Sequence, residues 1–528
     1  MIEKWSRTFF FLLSLGGVVS LLALARVWPP AGWGLIPLVI FLAVGLRDVL
    51  QKKHTLLRNF PVLGHFRFLL ESIRPEIRQY FVEGDSEENP FSREKRSVVY
   101  QRSKGTLDTL PFGTRRDVYQ VGYQWINHSL GLPVENLELT RCAIGEKSCS
   151  QPYAAALLNI SAMSYGALSR NAIMALNRAA QAGGFSHNTG EGGISDWHCQ
   201  GGDLVWQIGT GYFGCRRADG TFCASTFEER AALPAVKMIE VKLSQGAKPG
   251  HGGILPAAKV SAEIARIRDV PIGQDVISPP VHSAFSTPGE LLEFLARLRE
   301  LAGGKPVGFK LCVGSKREFL AICKAMLESG LHPDFITVDG AEGGTGAAPL
   351  EFSNSVGMPL NDGLAFIHSA LTGIGFRDRV RLIAAGKIST GFHLLEKIAL
   401  GADLCNAARS MMFALGCIQA LKCNTNECPT GIATQLPRLY RGLDVGDKAE
   451  RVARFQKTTV AAAMELAQAS GMSCTPRDLR WQIFRRTAPG EVRALGDLYP
   501  CLAEGELLQH TVPAEIASDW SAASAAAF

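Results

Sequence analysis

The chain has 528 residues, of which 47% are hydrophobic and 20% are charged. This balance belongs to a folded protein with a large core, and it excludes a disordered chain, a collagen-like repeat and a transporter embedded wholly in a membrane. The formal net charge is only +6, with basic and acidic residues interspersed, so we expect no nucleic-acid partner. The 13 cysteines are too sparse for a disulfide-stapled scaffold, and we expect them to be reduced.

Two apolar runs open the chain. Residues 8–25 carry no charge, and a second run at 32–46 follows a short connection that is rich in proline. About 20 apolar residues cross the hydrocarbon core of a bilayer. We therefore predict a membrane-anchoring helical hairpin within residues 1–50. A cleaved signal peptide and a pair of buried soluble helices are the alternatives, and the shorter second run leaves open whether it spans the bilayer fully.

The charges around this hairpin predict its orientation. Basic residues lie before the first run and after the second, whereas the connection between them contains Arg26 alone. The flanking basic residues are Lys4, Arg7, Arg47, Lys52, Lys53 and Arg58. By the positive-inside rule, the N-terminus and the large remainder of the chain face the cytoplasm, with the chain held at the cell membrane.

The rest of the chain divides by its pattern into three parts. Residues 51–152 are rich in charge and lack a long apolar period, which predicts a wrapping or connecting segment. Over 153–445, short apolar runs alternate with helical spacing of Leu, Ile and Ala. The predicted strands are 157–160, 238–243, 307–311, 335–338, 380–384 and 404–407, and the predicted helices are 169–182, 288–302, 316–329, 361–372 and 391–400. Residues 446–528 are predicted to form a helix and a tail with a disordered, Ala- and Ser-rich end.

Alternation of strands and helices over some 250 residues is typical of an α/β protein, either a (β/α)8 TIM barrel or an open doubly wound sheet. Polar or glycine-rich residues follow several of the predicted strands, as at 161–164, 339–340 and 385–386. The ends of all strands meet at one face in a barrel. We therefore favour the barrel.

Two glycine-rich stretches favour a bound phosphate or flavin. The loop 340–346, which includes Gly343, Gly344, Thr345 and Gly346, directly follows a predicted strand, and such a loop lets backbone N–H groups approach a ligand, although turns are also rich in glycine. Further on, Gly386 and Gly391 bracket the start of a predicted helix, where many barrels hold a cofactor phosphate.

Lys310 lies inside the apolar strand predicted at 307–311. Burial of an unpaired ammonium group would cost several kcal/mol unless a partner compensates it. At the mouth of a barrel this ammonium would stabilise negative charge on a reduced flavin ring. The alternative is a lysine whose ammonium reaches solvent at the end of the strand.

Cys417, Cys423 and Cys428 are spaced C-x5-C-x4-C and are followed by Pro429. Three thiolates this close in a cytoplasmic chain suit an iron–sulfur cluster, and three ligands fit a three-iron cluster better than a four-iron one. Structural zinc usually takes a fourth ligand and C-x2-C pairs. Plain buried cysteines are the remaining alternative.

Six short runs carry a family resemblance. They are Ser-Ala-Met-Ser-Tyr-Gly-Ala-Leu-Ser at 161–169, Asn-Thr-Gly-Glu-Gly-Gly at 188–193, Gln-Gly-Ala-Lys-Pro-Gly at 245–250, Ile-Ser-Pro-Pro at 277–280, Gly-Gly-Thr-Gly-Ala at 343–347 and Cys-Asn-Thr-Asn-Glu-Cys-Pro-Thr-Gly at 423–431. In this order they resemble the FMN-binding synthase domain of glutamate synthases, and more closely the shorter membrane-anchored glutamate synthase-like proteins of bacteria. The resemblance covers roughly residues 159–435.

The resemblance implies an oxidoreductase that acts on CH–NH2 groups. Its barrel would hold FMN at the C-terminal face, and a 3Fe-4S cluster on the three cysteines would pass electrons to the flavin. Hydride from reduced FMN would reach 2-iminoglutarate, formed from 2-oxoglutarate and ammonia, to give L-glutamate. No G-x-G-x-x-G follows a clear strand to mark a nicotinamide domain, so the electron donor would be a partner such as ferredoxin or a flavoprotein.

The resemblance also implies roles for single residues. Glu191, Lys248 and Arg268 match positions that contact the keto acid, and we take Glu191, Lys248 and Lys310 as the catalytic residues. The remaining implied contacts are to the flavin. They are Ala162, Met163, Ser164, Tyr165 and Gly166 over the ring, Lys310 near its pyrimidine side, Asp339 and the 343–346 loop beside it, and Gly386, Gly391, Ala408 and Arg409 at the phosphate.

Two departures from the family leave alternatives open. The family usually has Glu and Gln where this chain has His251 and Ile254, which leaves 2-oxoglutarate itself in question, and the expected N-terminal glutaminase domain is replaced by the anchor. One alternative is an FMN barrel enzyme that oxidises another small acid and feeds membrane electron carriers; a base such as His251 or His282 would favour it. The other is a non-catalytic electron-transfer subunit. The retention of Glu191 is an argument against this second alternative.

Overall fold

A computed structural model of the chain describes residues 7–87, 90–131, 141–471 and 479–528. Lys4, one of the charges used to predict orientation, lies outside these residues. The chain forms two compact units, Met1–Gly84 and Asp85–Phe528. The segment expected to wrap or connect, 51–152, is therefore divided between the two units.

The first unit contains the two apolar helices and a short amphipathic one. Helices Arg7–Val27 and Leu35–Leu50 are joined by the 3-10 turn Pro29–Gly34, and helices Thr55–Asn59 and His65–Ile77 and the π turn Arg78–Val82 follow. Two segments, Arg7–Val27 and Pro29–Leu50, are long and apolar enough to cross a membrane by length and composition. Only two residues of each apolar helix are buried, which is not the pattern of helices inside a soluble core.

The second unit is built around a closed barrel of eight parallel strands, as the alternating pattern predicted. The strands are β1 Leu158–Ile160, β2 His187–Asn188, β3 Leu204–Ile208, β4 Val236–Lys242, β5 Val307–Leu311, β6 Phe335–Asp339, β7 Arg381–Ala385 and β8 Leu404–Ala407. Each strand pairs with the next in the sequence, and β8 pairs with β1. The doubly wound alternative is therefore excluded.

The sequence pattern predicts six of these strands but not β2 and β3. Strand β2 has only two residues, too few to show any periodicity. Strand β3 is buried along its whole length, but it includes Gln207 and lies in glycine-rich chain, so its apolar run is interrupted. Backbone pairing with their neighbours places both strands. His187 of β2 pairs with Ile160 of β1 on one side and with Leu204 of β3 on the other.

Helices surround the barrel and follow the predicted spacing closely. They are Arg93–Lys104, Arg170–Gly183, Ala224–Ala231, Ala262–Arg268, Pro288–Leu301, Lys316–Ser329, Leu350–Ser355, Leu360–Gly373, Gly391–Ala399, Arg409–Leu415, Pro437–Tyr440, Val445–Ala469, Leu495–Leu498 and Ala514–Ala522. The long helix Val445–Ala469 packs on Arg170–Gly183, Arg93–Lys104 and Gly391–Ala399. Residues from both ends of the second unit thus cover one side of the barrel.

Short antiparallel strands complete the second unit. Arg141–Ile144 pairs with Tyr153–Ala156, and Ile254–Leu255 pairs with Val276–Ile277. Gln124–Ile126 and Glu491–Ala494 both pair with Ile483–Ala488. The part of the connecting segment after residue 84 is therefore hydrogen-bonded to the C-terminal region.

The C-terminal tail is folded, so the expectation of disorder was wrong. Its helix, Ala514–Ala522, packs on Lys316–Ser329. Lys324 donates a hydrogen bond from Nζ to the carbonyl of Ala523 at 2.8 Å, and its ammonium lies 5.2 Å from the centre of the Trp520 ring. Amino-acid composition does not show a contact between one lysine and one tryptophan that forms only when the chain folds.

A buried carboxylate joins four strands inside the barrel. Glu240 of β4 is 1% exposed and accepts hydrogen bonds from Asn188 Nδ2 at 2.7 Å, Gln207 Nε2 at 2.6 Å and Thr337 Oγ1 at 2.6 Å. These three donors come from β2, β3 and β6. The two missed strands are thus tied to the barrel through their polar side chains.

We expect Glu240→Leu to lower the free energy of unfolding by about 3 kcal/mol or more, because three buried donors lose their acceptor at about 1–3 kcal/mol each. Thr337→Val removes one donor only and should cost about a third as much. Thermal unfolding of the two variants beside the parent protein measures the difference. Equal costs for both would show that Glu240 does not hold the strands together.

Candidate active site

Charged side chains gather where the barrel strands end. Glu191 follows β2, and Lys242 ends β4; Lys242 Nζ lies 2.7 Å from Glu191 Oε1. Both side chains are largely buried, with exposed fractions of 18% and 7%. Burial opposes ionisation of Glu191, but Lys242, and after it Lys248 and Arg268, lower the pKa of this carboxyl below its ordinary value. The site therefore contains an ionised carboxylate.

Lys248 lies beside this pair in the long loop after β4. It is 2% exposed, and its Nζ donates to the carbonyl of Ala347 at 3.2 Å. Burial, with a further contribution from Lys242, lowers the pKa of Lys248 to about 8, against the opposing effect of Glu191. An ammonium group with one neutral acceptor and a lysine neighbour is suited to receive an anion.

Arg268 closes the same site from the end of the helix Ala262–Arg268. Its Nη2 donates to the carbonyl of Tyr165 at 3.1 Å and more weakly to Ser164 Oγ at 3.4 Å, while its buried Nε has no hydrogen-bond partner among the described residues. Burial lowers the pKa of Arg268 to about 10. Three cations thus surround one carboxylate, which leaves a surplus of positive charge.

Glycines make room for these side chains. A Cβ on Gly253 would lie 2.7 Å from Glu191 Oε1, and a Cβ on Gly209 would clash with Glu191 Oε2. A Cβ on Gly192 would lie 2.6 Å from Nη2 of Arg268. The glycine-rich character of the 188–193 run and of the loop after β4 therefore follows from the packing of the charged groups.

Lys310 and Asp339 form a second buried pair at the ends of β5 and β6. Lys310 Nζ lies 3.1 Å from Asp339 Oδ2, which also accepts from the amide of Gly246 at 3.1 Å. Burial alone would lower the pKa of Lys310, but Asp339 and then Glu240 outweigh it and raise that pKa. Lys310 is 6% exposed, so its ammonium is paired inside the barrel mouth rather than extended into solvent.

The loop after β1 lies against the charged site. Met163 donates from its amide to the carbonyl of Asn188 at 3.3 Å, and Tyr165 donates to Glu263 Oε2 at 2.5 Å. Gly166 accepts at its carbonyl from Gln435 Nε2 at 3.1 Å. Ala162 and Ser164 are half-buried beside them. Arg268 donates to Ser164 and Tyr165, so the run 162–166, expected over a flavin ring, lies beside the charged site.

The phosphate candidates follow β6, β7 and β8. Arg409, which follows Ala408 at the start of a helix, donates from Nη2 to the carbonyl of Glu342 at 2.5 Å, so it contacts the 340–346 loop. A Cβ on Gly344 would lie 2.9 Å from Arg409 Cδ. Thr345 and Gly346 continue this loop, and Gly386 follows β7. Gly391 has a different neighbour. A Cβ on this residue would lie 2.5 Å from the backbone nitrogen of Ala463 in the long helix.

The three cysteines lie in one loop near the flavin candidates. Burial raises the pKa of Cys417 to about 12, with smaller contributions of the same sign from Cys423 and Cys428, so the thiols lie within electrostatic reach of one another. In the described ranges, no three His, Cys, Asp or Glu side chains are grouped to hold a single metal ion. Cysteine thiolates are the ligands that iron–sulfur clusters use, so the 3Fe-4S cluster stays a prediction.

Two lysines of the site were missed from the sequence. Lys242 lies within the predicted strand 238–243 and was given no separate role. Lys259 belongs to none of the predicted motifs. Lys259 is 2% exposed and donates from Nζ to the carbonyls of Cys423 at 2.7 Å and Ala167 at 3.0 Å. It therefore ties the cysteine loop to the loop after β1. No local pattern marks either residue.

Of the two histidines that would favour oxidation of a hydroxy acid, His282 is not a free base. Both ring nitrogens of His282 lie at hydrogen-bond distance, Nδ1 from Tyr212 Oη at 3.0 Å and Nε2 from the carbonyl of Lys242 at 2.9 Å. Burial lowers the pKa of His282 to about 4. His251 Nδ1 lies 2.9 Å from the carbonyl of Gly252.

A closed parallel barrel with charged side chains at its C-terminal mouth is the architecture of a (β/α)8 barrel enzyme for a small molecule. Residues 127–473 match the family model described as a conserved region in glutamate synthase. This match covers well over half of the chain, and the chain therefore belongs to the glutamate synthase family. It is an oxidoreductase of the class that acts on CH–NH2 groups.

Individual relatives agree with the family model. The glutamate synthase large subunit-like protein YerD of Bacillus subtilis is 37% identical over 504 residues, which cover 88% of this chain and 96% of that protein. The archaeal glutamate synthase (NADPH) of Methanocaldococcus jannaschii is 36% identical over 316 residues, and the chain spans about three fifths of it, 59%. Among solved structures, a mandelate oxidase aligns over 80% of this chain and 99% of its own at 14% identity and a TM-score of 0.40.

The unequal pairing of the two site lysines predicts opposite effects on stability. Lys248→Met removes a poorly compensated buried charge and should stabilise the protein by about 1–2 kcal/mol. Because the pKa of Lys248 is lowered to about 8, this gain is largest below pH 8 and shrinks as the pH rises from there towards the pKa of an unfolded lysine.

Lys242→Met is the matched control. It leaves Glu191 without its 2.7 Å partner and should destabilise the protein. Thermal midpoints measured at pH 7 and pH 9.5 test both variants. A loss of stability with Lys248→Met at both pH values would contradict the assignment of Lys248 as a poorly compensated buried cation.

Proposed function

We propose that the protein is an FMN and iron–sulfur oxidoreductase that aminates 2-oxoglutarate, or a related 2-oxo acid, with ammonia to give the amino acid. The observation that carries this proposal is the surplus of positive charge around Glu191 at the barrel mouth. A diacid supplies two carboxylates to such a site, and a monoacid only one.

The chain's own groups suggest how the substrate is held. Arg268 has a buried Nε without a partner, and a guanidinium binds a carboxylate through two parallel hydrogen bonds. Lys248 would pair the other carboxylate as a point charge. Glu191, kept ionised by Lys242, would accept a hydrogen bond from the nitrogen of ammonia or of the imine and so hold the nitrogen near the carbon that it joins.

FMN is the proposed cofactor at the ends of β5 to β8 and of the neighbouring β1. Bound FMN would supply hydride transfer. Lys310 provides a paired ammonium there, and Gly343 and Gly344 leave backbone accessible where a side chain would clash. The residues assigned to FMN are Ala162, Met163, Ser164, Tyr165, Gly166, Lys310, Asp339, Gly343, Gly344, Thr345, Gly346, Gly386, Gly391, Ala408 and Arg409.

A 3Fe-4S cluster on Cys417, Cys423 and Cys428 is the proposed entry point for electrons from a partner such as ferredoxin or a flavoprotein. The buried ammonium of Lys259 beside the loop supports this assignment, because a cluster held by thiolates carries negative charge. The two apolar helices support a hairpin that holds the enzyme at the cell membrane, with the barrel on the cytoplasmic side.

The anaerobic absorption spectrum before and after addition of L-glutamate tests the reaction. We expect the oxidised flavin band to bleach, because the reverse reaction reduces the flavin. Arg268→Gln should require at least about tenfold more glutamate, whereas Arg266→Gln, on the same helix but exposed, should match the parent. A flavin band that glutamate leaves unchanged would overturn the proposed substrate.

The lowered pKa of Lys248 predicts the pH dependence of keto-acid binding. Because an anion binds the protonated ammonium, the Kd of 2-oxoglutarate should rise above about pH 8, by up to about tenfold per pH unit. Lys248→Arg keeps its charge in this range, so its Kd should stay flat. Calorimetric titration between pH 7 and pH 9.5 compares the two, and identical profiles would remove Lys248 from the site.

The cluster assignment has its own test. Cys423→Ser should lose the iron and the electron paramagnetic resonance signal of the oxidised three-iron cluster while FMN stays bound. Cys501→Ser, a cysteine of the C-terminal region, is the matched control and should keep both. Unchanged iron content in Cys423→Ser would overturn the ligand assignment.

A further inference from the structure

The helix His65–Ile77 presents an apolar face that no described residue covers. Phe66, Leu69, Leu70, Ile73 and Ile77 recur every three or four positions and so share one face. Their exposed fractions are 61%, 55%, 57%, 39% and 40%. Tyr80 and Phe81 continue this face in the π turn that follows, at 54% and 84%. No side chain of the helix is buried.

The rest of the helix surface is mainly polar and partly basic, apart from Phe68, whose ring packs against His54 at a centroid distance of 5.7 Å. Arg67 and Arg74 lie there with Glu71 and Ser72, and Arg67 Nε is 3.1 Å from Glu71 Oε1 one turn along. The helix thus combines a wide apolar stripe with cations on its polar flank. This is the pattern of helices that lie in a membrane interface, where cations meet anionic headgroups.

The start of this helix is tied to one end of the apolar hairpin. Asp48, near the end of Leu35–Leu50, is 2% exposed; it lies 2.9 Å from His65 Nε2 and accepts from the amide of Val62 at 2.9 Å. Arg7, at the start of the first apolar helix, donates to the carbonyl of Arg58 at 2.7 Å and to Asn59 Oδ1 at 3.0 Å.

Both contacts involve the same end of the hairpin, because the first helix begins where the second one ends. In a hairpin that crosses the bilayer, this end lies at the boundary between hydrocarbon and water. The helix His65–Ile77 therefore starts at that boundary, and Asp48 fixes the starting point through His65.

We propose that residues 65–82 lie flat in the interface of the membrane that the hairpin crosses. The apolar face from Phe66 to Phe81 enters the acyl-chain boundary, and Arg67 and Arg74 contact anionic headgroups. The occupant of the face is the bilayer itself. This inference rests on the membrane anchoring proposed above and adds a second element of contact, parallel to the surface.

Photo-crosslinking of the full-length protein tests this placement. The protein is reconstituted in nanodiscs of phosphatidylcholine and phosphatidylglycerol, with benzoylphenylalanine at position 70 or 73 on the apolar face, or at position 72 on the polar face. We expect lipid adducts by mass spectrometry at 70 and 73 and about tenfold fewer at 72. Adducts with another polypeptide at 70 and 73, or equal lipid adducts on both faces, would overturn the proposal.

A probe at position 15 separates this inference from the anchoring on which it rests. Leu15 is 65% exposed in the middle of the first apolar helix, so lipid adducts there report the hairpin. No adducts at position 15 would overturn the anchoring itself. Adducts at 15 but not at 70 or 73 would overturn only the interfacial helix.

Hydrogen exchange supplies a second, matched measurement. In the same nanodiscs, Ile73→Glu places a charge on the apolar face and should speed amide exchange across 65–77 by about tenfold or more. Ser72→Glu adds the same charge one residue away on the polar face and should leave exchange near the parent rate. Equal effects of the two variants would contradict a bilayer-facing stripe.

Discussion

The ion pair of Lys242 with Glu191 is the contact on which the barrel mouth depends. Lys242 ends β4 and Glu191 follows β2, so their 2.7 Å contact joins two strands that are separated by β3. A buried pair of this kind is costly to break because either member alone would be an uncompensated charge. Since Glu191 is already neutralised by Lys242, the charges of Lys248 and Arg268 remain available to a ligand.

One loop organises the groups around this pair. The chain between β4 and β5 supplies Lys248, Lys259 and Arg268, and it also contacts Asp339 through the amide of Gly246. Lys259 reaches the carbonyls of Cys423 and Ala167. One stretch of chain therefore joins the proposed keto-acid groups, the loop after β1 and the cysteine loop. A displacement of any of the three would be transmitted to the other two.

The two units of the chain distribute apolar surface in opposite ways. In the second unit the large apolar side chains lie inside the barrel and between the barrel and its helices. In the first unit they lie outside, as on Leu12, Leu15 and Ile40, with exposed fractions of 63%, 65% and 61%. Helices satisfy their own backbone hydrogen bonds, which is why apolar segments that face lipid are helical. The inverted pattern agrees with the hairpin proposed to hold the chain at a membrane.

The sequence by itself determined the long periodic elements, the barrel class and, through its motifs, the family, and it pointed to Glu191, Lys248 and Arg268, which the structure brings together. Periodicity reports which residues are buried, and six strands and the main helices followed from it. Only the tertiary structure decided that β2 and β3 close the barrel, that Lys242 neutralises Glu191 and that Lys259 joins two loops. These facts depend on which chain ends meet when the barrel closes, and a lysine in an apolar strand looks the same in sequence whichever carboxylate it will reach.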